Sequence, residues 1–159
     1  MRLALATFAF VFAAAAPLIA KDRLGAYEGW AAFRDDAVPR CYAIARPDEA
    51  IGDGGYVSVG FWPREGLTHQ VYVRLSLTRG SNAGITLNVG GRRFRLVPDG
   101  NGGRAKDRAM DMAIIAAMRN AASMSVQSSG RNGGAIIEAY ALRGAASAID
   151  AAALGCAKS

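Results

Sequence analysis

The sequence is poor in the residues that build metal and hydrolytic sites. It contains one histidine, His69, and two cysteines, Cys41 and Cys156. A zinc site needs three or four closely spaced ligands of these types, and this set has neither the number nor the spacing. No Gly-x-Ser-x-Gly segment marks a nucleophile elbow, and the glycines at 100–103 are not followed by the Lys-Ser/Thr of a phosphate-binding loop. The sequence therefore predicts no metal and no cofactor.

A long apolar run occurs only at the start of the chain. Arg2 precedes the apolar stretch 3–16, and Pro17-Leu18-Ile19-Ala20 leads to the charged residues that begin at Lys21. The run is shorter than the roughly 20 residues that span a bilayer, which favours a cleaved signal peptide over the alternative of a membrane anchor. No cysteine follows it as a lipoprotein would require. We expect a signal peptide at 1–20 and a periplasmic or secreted, non-membrane-spanning domain at 21–159.

The charge balance is basic. The chain has 19 Lys and Arg residues against 13 Asp and Glu, and without Arg2 the balance is 18 to 13, or +5. Sixteen of the basic residues are arginines, which bind carboxylates and phosphates through two parallel hydrogen bonds, although codon bias is an alternative explanation. Because export separates the chain from most nucleic acid, we expect no nucleic-acid partner. An envelope protein, a glycan or an anionic lipid head group fits better.

The two cysteines predict a disulfide. An even pair in an oxidising compartment is most simply bonded, so Cys41 is expected to pair with Cys156. The bond would close a loop of more than 100 residues. In the chain-entropy view, such a loop contributes about 4 to 5 kcal/mol to stability as an upper guide.

Alternating apolar residues predict a β-rich domain. Strands are expected at 41–45, 56–62, 70–77, 85–97, 123–128 and 136–142, with helices at 107–120 and 145–154 and a glycine-rich loop at 98–106. Gly90-Gly91 predicts a two-residue hairpin turn that pairs Val89 with Arg92. Asp107 is the expected N-cap of the first helix. The fold class is mainly β with α: an antiparallel β-sandwich or twisted sheet with two helices packed on it.

This layout resembles the invasion-associated locus B family of periplasmic proteins. The matching features are Gly29-Trp30, Cys41 before a short strand, the 85–97 hairpin, and an ending that runs through Tyr140-Ala141-Leu142-Arg143-Gly144 to Cys156. The resemblance implies export, a β-rich fold and a role in the cell envelope without a known catalytic centre. Members of the family carry additional cysteines that this chain lacks.

Two groups of side chains are candidates for binding. Arg92, Arg93 and Arg95, with Arg74 and Arg79 on a neighbouring strand, would form a basic strand face that suits phosphates or carboxylates. The alternative is a solvated face that protects the sheet from aggregation. Tyr56, Trp62 and Tyr72 would form an adjoining aromatic surface, or would fill a second core if the sheet is covered on both faces.

The remaining polar residues carry little chemistry. His69 is expected to be a solvated loop residue in the turn 66–70, and the acidic pairs at 35–36 and 48–49 are expected to be solvated loop charges. We therefore expect a non-enzymatic binding or envelope-interaction protein. The alternatives are a periplasmic inhibitor or chaperone of an envelope enzyme that inserts the turn 63–69 into a cleft, and a small hydrolase that relies on His69.

Overall fold

Strands are the main type of secondary structure in the described residues. The computed structural model describes residues 21–49 and 51–157, so the expected signal peptide lies outside the described residues. The described strands are β1 (Asp22–Tyr27), β2 (Trp30–Asp35), β3 (Arg40–Ala45), β4 (Tyr56–Trp62), β5 (Leu67–Arg74), β6 (Ile85–Val89), β7 (Arg92–Asp99), β8 (Gly102–Arg104), β9 (Ser123–Ser129) and β10 (Ala135–Ala141). The helices are α1 (Arg108–Asn120) and α2 (Ala145–Ala157).

The strands form one antiparallel sheet in the order β1-β2-β3-β4-β5-β8-β7-β6-β9-β10. The first five strands follow chain order because short connections favour antiparallel neighbours. The hairpin β6–β7 is inserted in reverse, and β8 joins it to β5. A mainly antiparallel sheet with two helices packed on it is therefore confirmed.

The hairpin and the first helix form as their local signals predict. Val89 pairs with Arg92 across Gly90 and Gly91, and both glycines have positive φ angles of 54° and 85°. The Asp107 side chain caps α1, accepting a hydrogen bond from the Met110 amide at 2.8 Å. Both features depend on contacts within a few residues, which explains why the sequence pattern was sufficient.

Three strands were not predicted. The segment that contains β1 and β2 is rich in Ala, Gly and charged residues, which have weak strand propensity, and β8 lies within the segment expected to be a loop. β8 forms because glycine permits close packing: a side chain at Gly102 would meet the carbonyl oxygen of Val73. Tertiary pairing with β5 and β7 outweighs the local turn signal of this segment.

The helices cover one face of the first five strands, which we call the inner face. A disulfide joins Cys41 on β3 to Cys156 in α2, with the two Cα atoms 5.7 Å apart, which confirms the predicted bond. Ala43 shares the face of Cys41 and is fully buried, whereas Tyr42 and Ile44 between and beyond them are half-buried. Since successive residues of a strand point to opposite faces, Tyr42 and Ile44 lie on the outer face. Over the described ranges, neither helix is long and apolar enough to cross a membrane.

The sheet curves until its two ends meet. The indole Nε1 of Trp30 on β2 donates to the carbonyl of Ala141 on β10 at 2.9 Å. Asp48, in the loop after β3, donates its amide to Ala139 and accepts from the Ala141 amide. These bonds join the second strand of the sheet order to the tenth, so the inner face encloses the core.

A buried carboxylate completes this closure. Glu138 of β10 is 1% exposed and accepts from the amide and hydroxyl of Ser76, both at 2.7 Å, and from the Tyr140 hydroxyl at 3.0 Å. Burial, together with the adjacent carboxylate, raises the pKa of Tyr140, so its hydroxyl keeps the proton that it donates. The three donors compensate Glu138 for the water it has lost.

Removal of the disulfide should weaken the fold without changing the sheet. We expect Cys41→Ala to lower the free energy of unfolding by up to about 5 kcal/mol, because the bond constrains a very long loop in the unfolded chain. Urea unfolding of the variant and of the reduced wild type should give similar midpoints. Two thiols that titrate in the denatured, unreduced wild type would contradict the bond.

Removal of the Glu138 carboxylate should also be costly. Glu138→Ala leaves three donors without their acceptor, so we expect a loss of about 2 kcal/mol or more in the free energy of unfolding, with Glu138→Gln intermediate. Urea unfolding measures both, and Ile137→Ala, at the exposed neighbour, serves as the control within about 0.5 kcal/mol of wild type. An equally small effect for Glu138→Ala would show that the network contributes no stability.

Candidate functional site

Two arginines project side by side from the outer face of the hairpin. Arg93 and Arg95 are exposed, and they pair across the strands with Asn88 and Thr86 of β6. Their positions are about 7 Å apart along β7 by the two-residue repeat of a strand. Neither guanidinium forms an ion pair with any residue in the described ranges. We call these four residues the arginine face; it presents two uncompensated positive charges on a rigid strand.

The other predicted arginines lie elsewhere. Arg92 points to the opposite side of β7, where its guanidinium lies 5.2 Å from the centre of the Phe94 ring. Arg74 lies at the end of β5, opposite Tyr56. Arg79 is a structural residue, because its side chain donates to the carbonyls of Gly80, Ser81, Ala83 and Gly100. The structure thus brings Arg93 and Arg95 together and separates Arg74, Arg79 and Arg92 from them.

The three predicted aromatic residues do converge. Tyr56, Trp62 and Tyr72 line one hollow of about 270 Å³ on the outer face, together with Ser58 and Gln70. The Tyr56 and Tyr72 rings are 6.0 Å apart and tilted by 45°. All three aromatic side chains are half-buried rather than enclosed in a second core. We call these five residues the aromatic hollow.

The absence of a side chain at Gly60 determines where the Trp62 indole lies. Trp62 follows Gly60 by two residues on β4, so both lie on the outer face. A Cβ atom at Gly60 would meet the six-membered ring of the Trp62 indole. The indole therefore lies directly against the glycine backbone, and it also lines the hollow.

Sequence reasoning missed the charged residues around the hollow. Arg104 comes from β8 opposite Tyr72 and pairs with Asp99 at 3.9 Å. Arg40, on β3, pairs with Asp35 at 3.6 Å and lies over the ring of Tyr42 at 5.0 Å. Arg104 could have been assigned to the hollow only if β8 had been predicted as a strand, and the sequence predicted a loop there.

A further aromatic pair extends this surface toward β2. The rings of Phe33 and Tyr42 stack with their centres 5.6 Å apart. Both contribute to a second hollow of about 630 Å³, which Ala31, Ile44 and Arg46 also line. Tyr42 lies opposite Gly60 in the sheet, so the second hollow is a direct neighbour of the first.

Three carboxylates that were expected to be solvated or were overlooked have structural partners. Asp35 is buried, contrary to expectation. Burial alone would raise the pKa of Asp35, but the hydrogen bond from the Val38 amide and the charges of Lys21 and Arg40 outweigh burial and lower this pKa. Asp48, though exposed, bonds the edge of β10 as described above. Burial raises the pKa of Asp111, although it accepts the Val71 amide at 2.8 Å. An acidic residue in register with the apolar stripe at 114, 115 and 118 was the available signal for Asp111.

His69 is not the solvated loop residue that the sequence predicted. It belongs to β5, with a φ angle of 61°, and its ring packs edge-on against Phe61 at 4.8 Å. Its Nδ1 is buried and has no hydrogen-bond partner in the described ranges. Burial and then the charges of Arg108 and Arg119 lower the pKa of His69, against the opposing charge of Asp150. The imidazole is neutral at physiological pH and lies outside the aromatic hollow.

His69 should make stability depend on pH. Because the folded pKa is depressed, the unfolded chain binds the proton first, at its ordinary pKa of about 6.5, so stability is lost as the pH falls below that value. We expect urea midpoints of the wild type to fall between pH 7.5 and 5.5. His69→Asn, which tolerates a positive φ, should show a smaller fall over the same window. An identical pH dependence in the two proteins would contradict the shifted pKa.

No group of three or more His, Cys, Asp or Glu side chains within 21–49 and 51–157 is arranged to hold a metal ion. The described residues instead present two outer surfaces, one basic and one aromatic. Comparison of the whole chain with protein-family models, curated proteins and solved structures finds no match.

Proposed function

We propose that this chain is an exported, non-enzymatic binding protein that meets an anionic partner of the cell envelope through its arginine face. The observation that carries the proposal is the uncompensated charge of Arg93 and Arg95. Arg34, Arg40 and Arg104 of the sheet have carboxylate partners within 4 Å. Arg23, Arg74 and Arg92 also lack one among the described residues, but Arg93 and Arg95 are set apart because they share one face of a single strand. A guanidinium without an internal partner is free to bind a carboxylate or phosphate from outside.

The position of the arginine face supports recognition of a partner. Arg93 and Arg95 extend from the centre of a hairpin whose opposite face packs Ile85, Leu87 and Phe94 into the core. The backbone of a strand held in this way is already ordered, so binding has to order only the two arginine side chains. The exposed position of both arginines, beside the polar Thr86 and Asn88, suits an extended anionic surface rather than a small enclosed ligand.

Export and an envelope role are parts of the same proposal. The disulfide between Cys41 and Cys156 is compatible with an oxidising compartment. The expected signal peptide and the resemblance to the invasion-associated locus B family support a periplasmic location. The packing of His69 against Phe61, away from the aromatic hollow, favours binding over histidine-dependent hydrolysis.

Affinity capture from envelope extract tests the arginine face. We expect a partner that the folded wild type retains and that Arg93→Ser/Arg95→Ser loses by at least about tenfold, since each charge-assisted contact is worth about 1.5 to 3 kcal/mol. Retention should weaken as salt rises, because exposed charges are screened. Mass spectrometry of the eluate distinguishes an acidic protein, an anionic lipid and an acidic glycan.

A matched variant separates this surface from general basicity. Arg64→Ser/Arg131→Ser removes the same charge from two exposed positions elsewhere that have no carboxylate partner among the described residues, and it should leave retention unchanged. Equal retention by wild type and by both double variants would exclude the arginine face. Circular dichroism and urea unfolding confirm that each variant is folded before capture.

A further inference from the structure

The proposed function leaves the aromatic hollow without a role. Five of the ten aromatic residues that follow position 20 lie on the outer face of β2 to β5: Phe33, Tyr42, Tyr56, Trp62 and Tyr72. Each is half-buried, and the two described helices pack on the opposite face. Core aromatics of this protein behave differently, since Trp30 and Tyr140 are at most 1% exposed. The outer aromatics are therefore available to a ligand.

The charge around the hollow argues against an anionic ligand there. Arg104 is paired with Asp99, and Arg40 with Asp35. The buried carboxylate of Asp111, which also lines the hollow, would repel an anion. The aromatic hollow thus differs from the arginine face: its arginines have carboxylate partners, and its lining includes a buried acidic side chain.

The remaining groups of the hollow suit a ligand that has many hydroxyls. Ser58, Gln70 and the two tyrosine hydroxyls offer both donors and acceptors beside the rings. A sugar ring in the pyranose form presents apolar C–H faces, which stack on aromatic rings, and a rim of hydroxyls, which bond to such polar groups. The indole of Trp62, which packs against the bare backbone of Gly60, provides an aromatic ring of this kind.

The two hollows are arranged in succession along the sheet. Tyr42, beside the second hollow, lies opposite Gly60 at the first, and Gly60 lies opposite Gln70. With volumes of about 270 Å³ and 630 Å³, neither encloses a large compact molecule, but together they accommodate a chain of ring-shaped units. We propose that the aromatic hollow and its neighbour bind a neutral oligosaccharide, with one sugar ring stacked on Trp62.

Titration with cellotetraose, chitotetraose and xylotetraose tests the site. The chain has two tryptophans, and Trp30 is buried with its Nε1–H bonded to Ala141, so the two indole N–H signals in an NMR spectrum report separately. We expect at least one tetrasaccharide to shift the Trp62 signal by more than the Trp30 signal, because Trp30 borders the second hollow but is only 1% exposed. Trp62→Phe, which retains a ring, assigns the two signals.

Substitutions in the aromatic hollow should weaken sugar binding, and substitutions elsewhere should not. Trp62→Ala and Tyr72→Ala should each weaken binding by about tenfold through the loss of a stacking surface, and Gly60→Ala should weaken it because the indole is displaced. Leu154→Ala, at an exposed residue of α2, is the control that should bind as wild type does. Arg93→Ser/Arg95→Ser should also keep full affinity for these neutral sugars, so failure of the arginine face and failure of the hollow are distinguishable.

Three results would overturn the proposal. The first is no shift of the Trp62 signal by any of the tetrasaccharides at millimolar concentrations in the wild type, which requires no variant to fold. The second is undiminished binding in folded Trp62→Ala and Tyr72→Ala. The third is a proline-rich peptide that shifts the Trp62 signal where the sugars do not, which would assign the rings to a protein partner.

Discussion

The bond between Cys41 and Cys156 stabilises the arrangement in which one face of the sheet is buried under α2. It holds α2 against β3, and the alternation of a strand then fixes every other residue on the inner side. Ala43 follows Cys41 inward, while Arg40, Tyr42 and Ile44 must point outward. A slip of one residue would exchange the two sets, so the covalent bond and the apolar pattern enforce the same register. The outer aromatic surface exists because this side of β3 is fixed.

Polar contacts between the two ends of the sheet stabilise the fold together with the disulfide. A ten-stranded order has two edges, and exposed edges invite pairing with other chains. Here Trp30 and Asp48 bond to the backbone of β10, which brings one edge against the second strand of the order. The side chain of Glu138 is buried at this closure, and three donors satisfy its oxygens there. Curvature thus comes from a few polar contacts between residues far apart in sequence.

Features that depend on residues close together in the sequence could be predicted from the sequence. The Gly90-Gly91 hairpin and the Asp107 cap depend on neighbours within a few residues, and both were predictable. The convergence of Tyr56, Trp62 and Tyr72 followed from strand alternation. Alternation within single strands carries no information about which strands become neighbours.

Features that depend on distant partners were not visible in the sequence. β8 exists because β5 and β7 accept it, and Arg104 reaches the hollow only through that strand. The burial of Asp35 requires Lys21 and Arg40 beside it. His69 looked like a turn residue because Gly66 precedes it, yet packing against Phe61 and the charges of α1 and α2 determine its state.

The sequence of β4 departs from what stability alone would favour. Gly60 lies within a central strand, where glycine costs about 0.5 to 1 kcal/mol relative to alanine and offers nothing to pack. In this protein the Trp62 ring covers the backbone of Gly60. A β-branched residue at position 60 would cover the same backbone without an exposed aromatic ring. Departures from local consistency are expected where a protein binds a ligand. If the proposed oligosaccharide site is correct, the pairing of the Trp62 indole with the bare backbone of Gly60 gives up strand stability to keep the ring in place at that site.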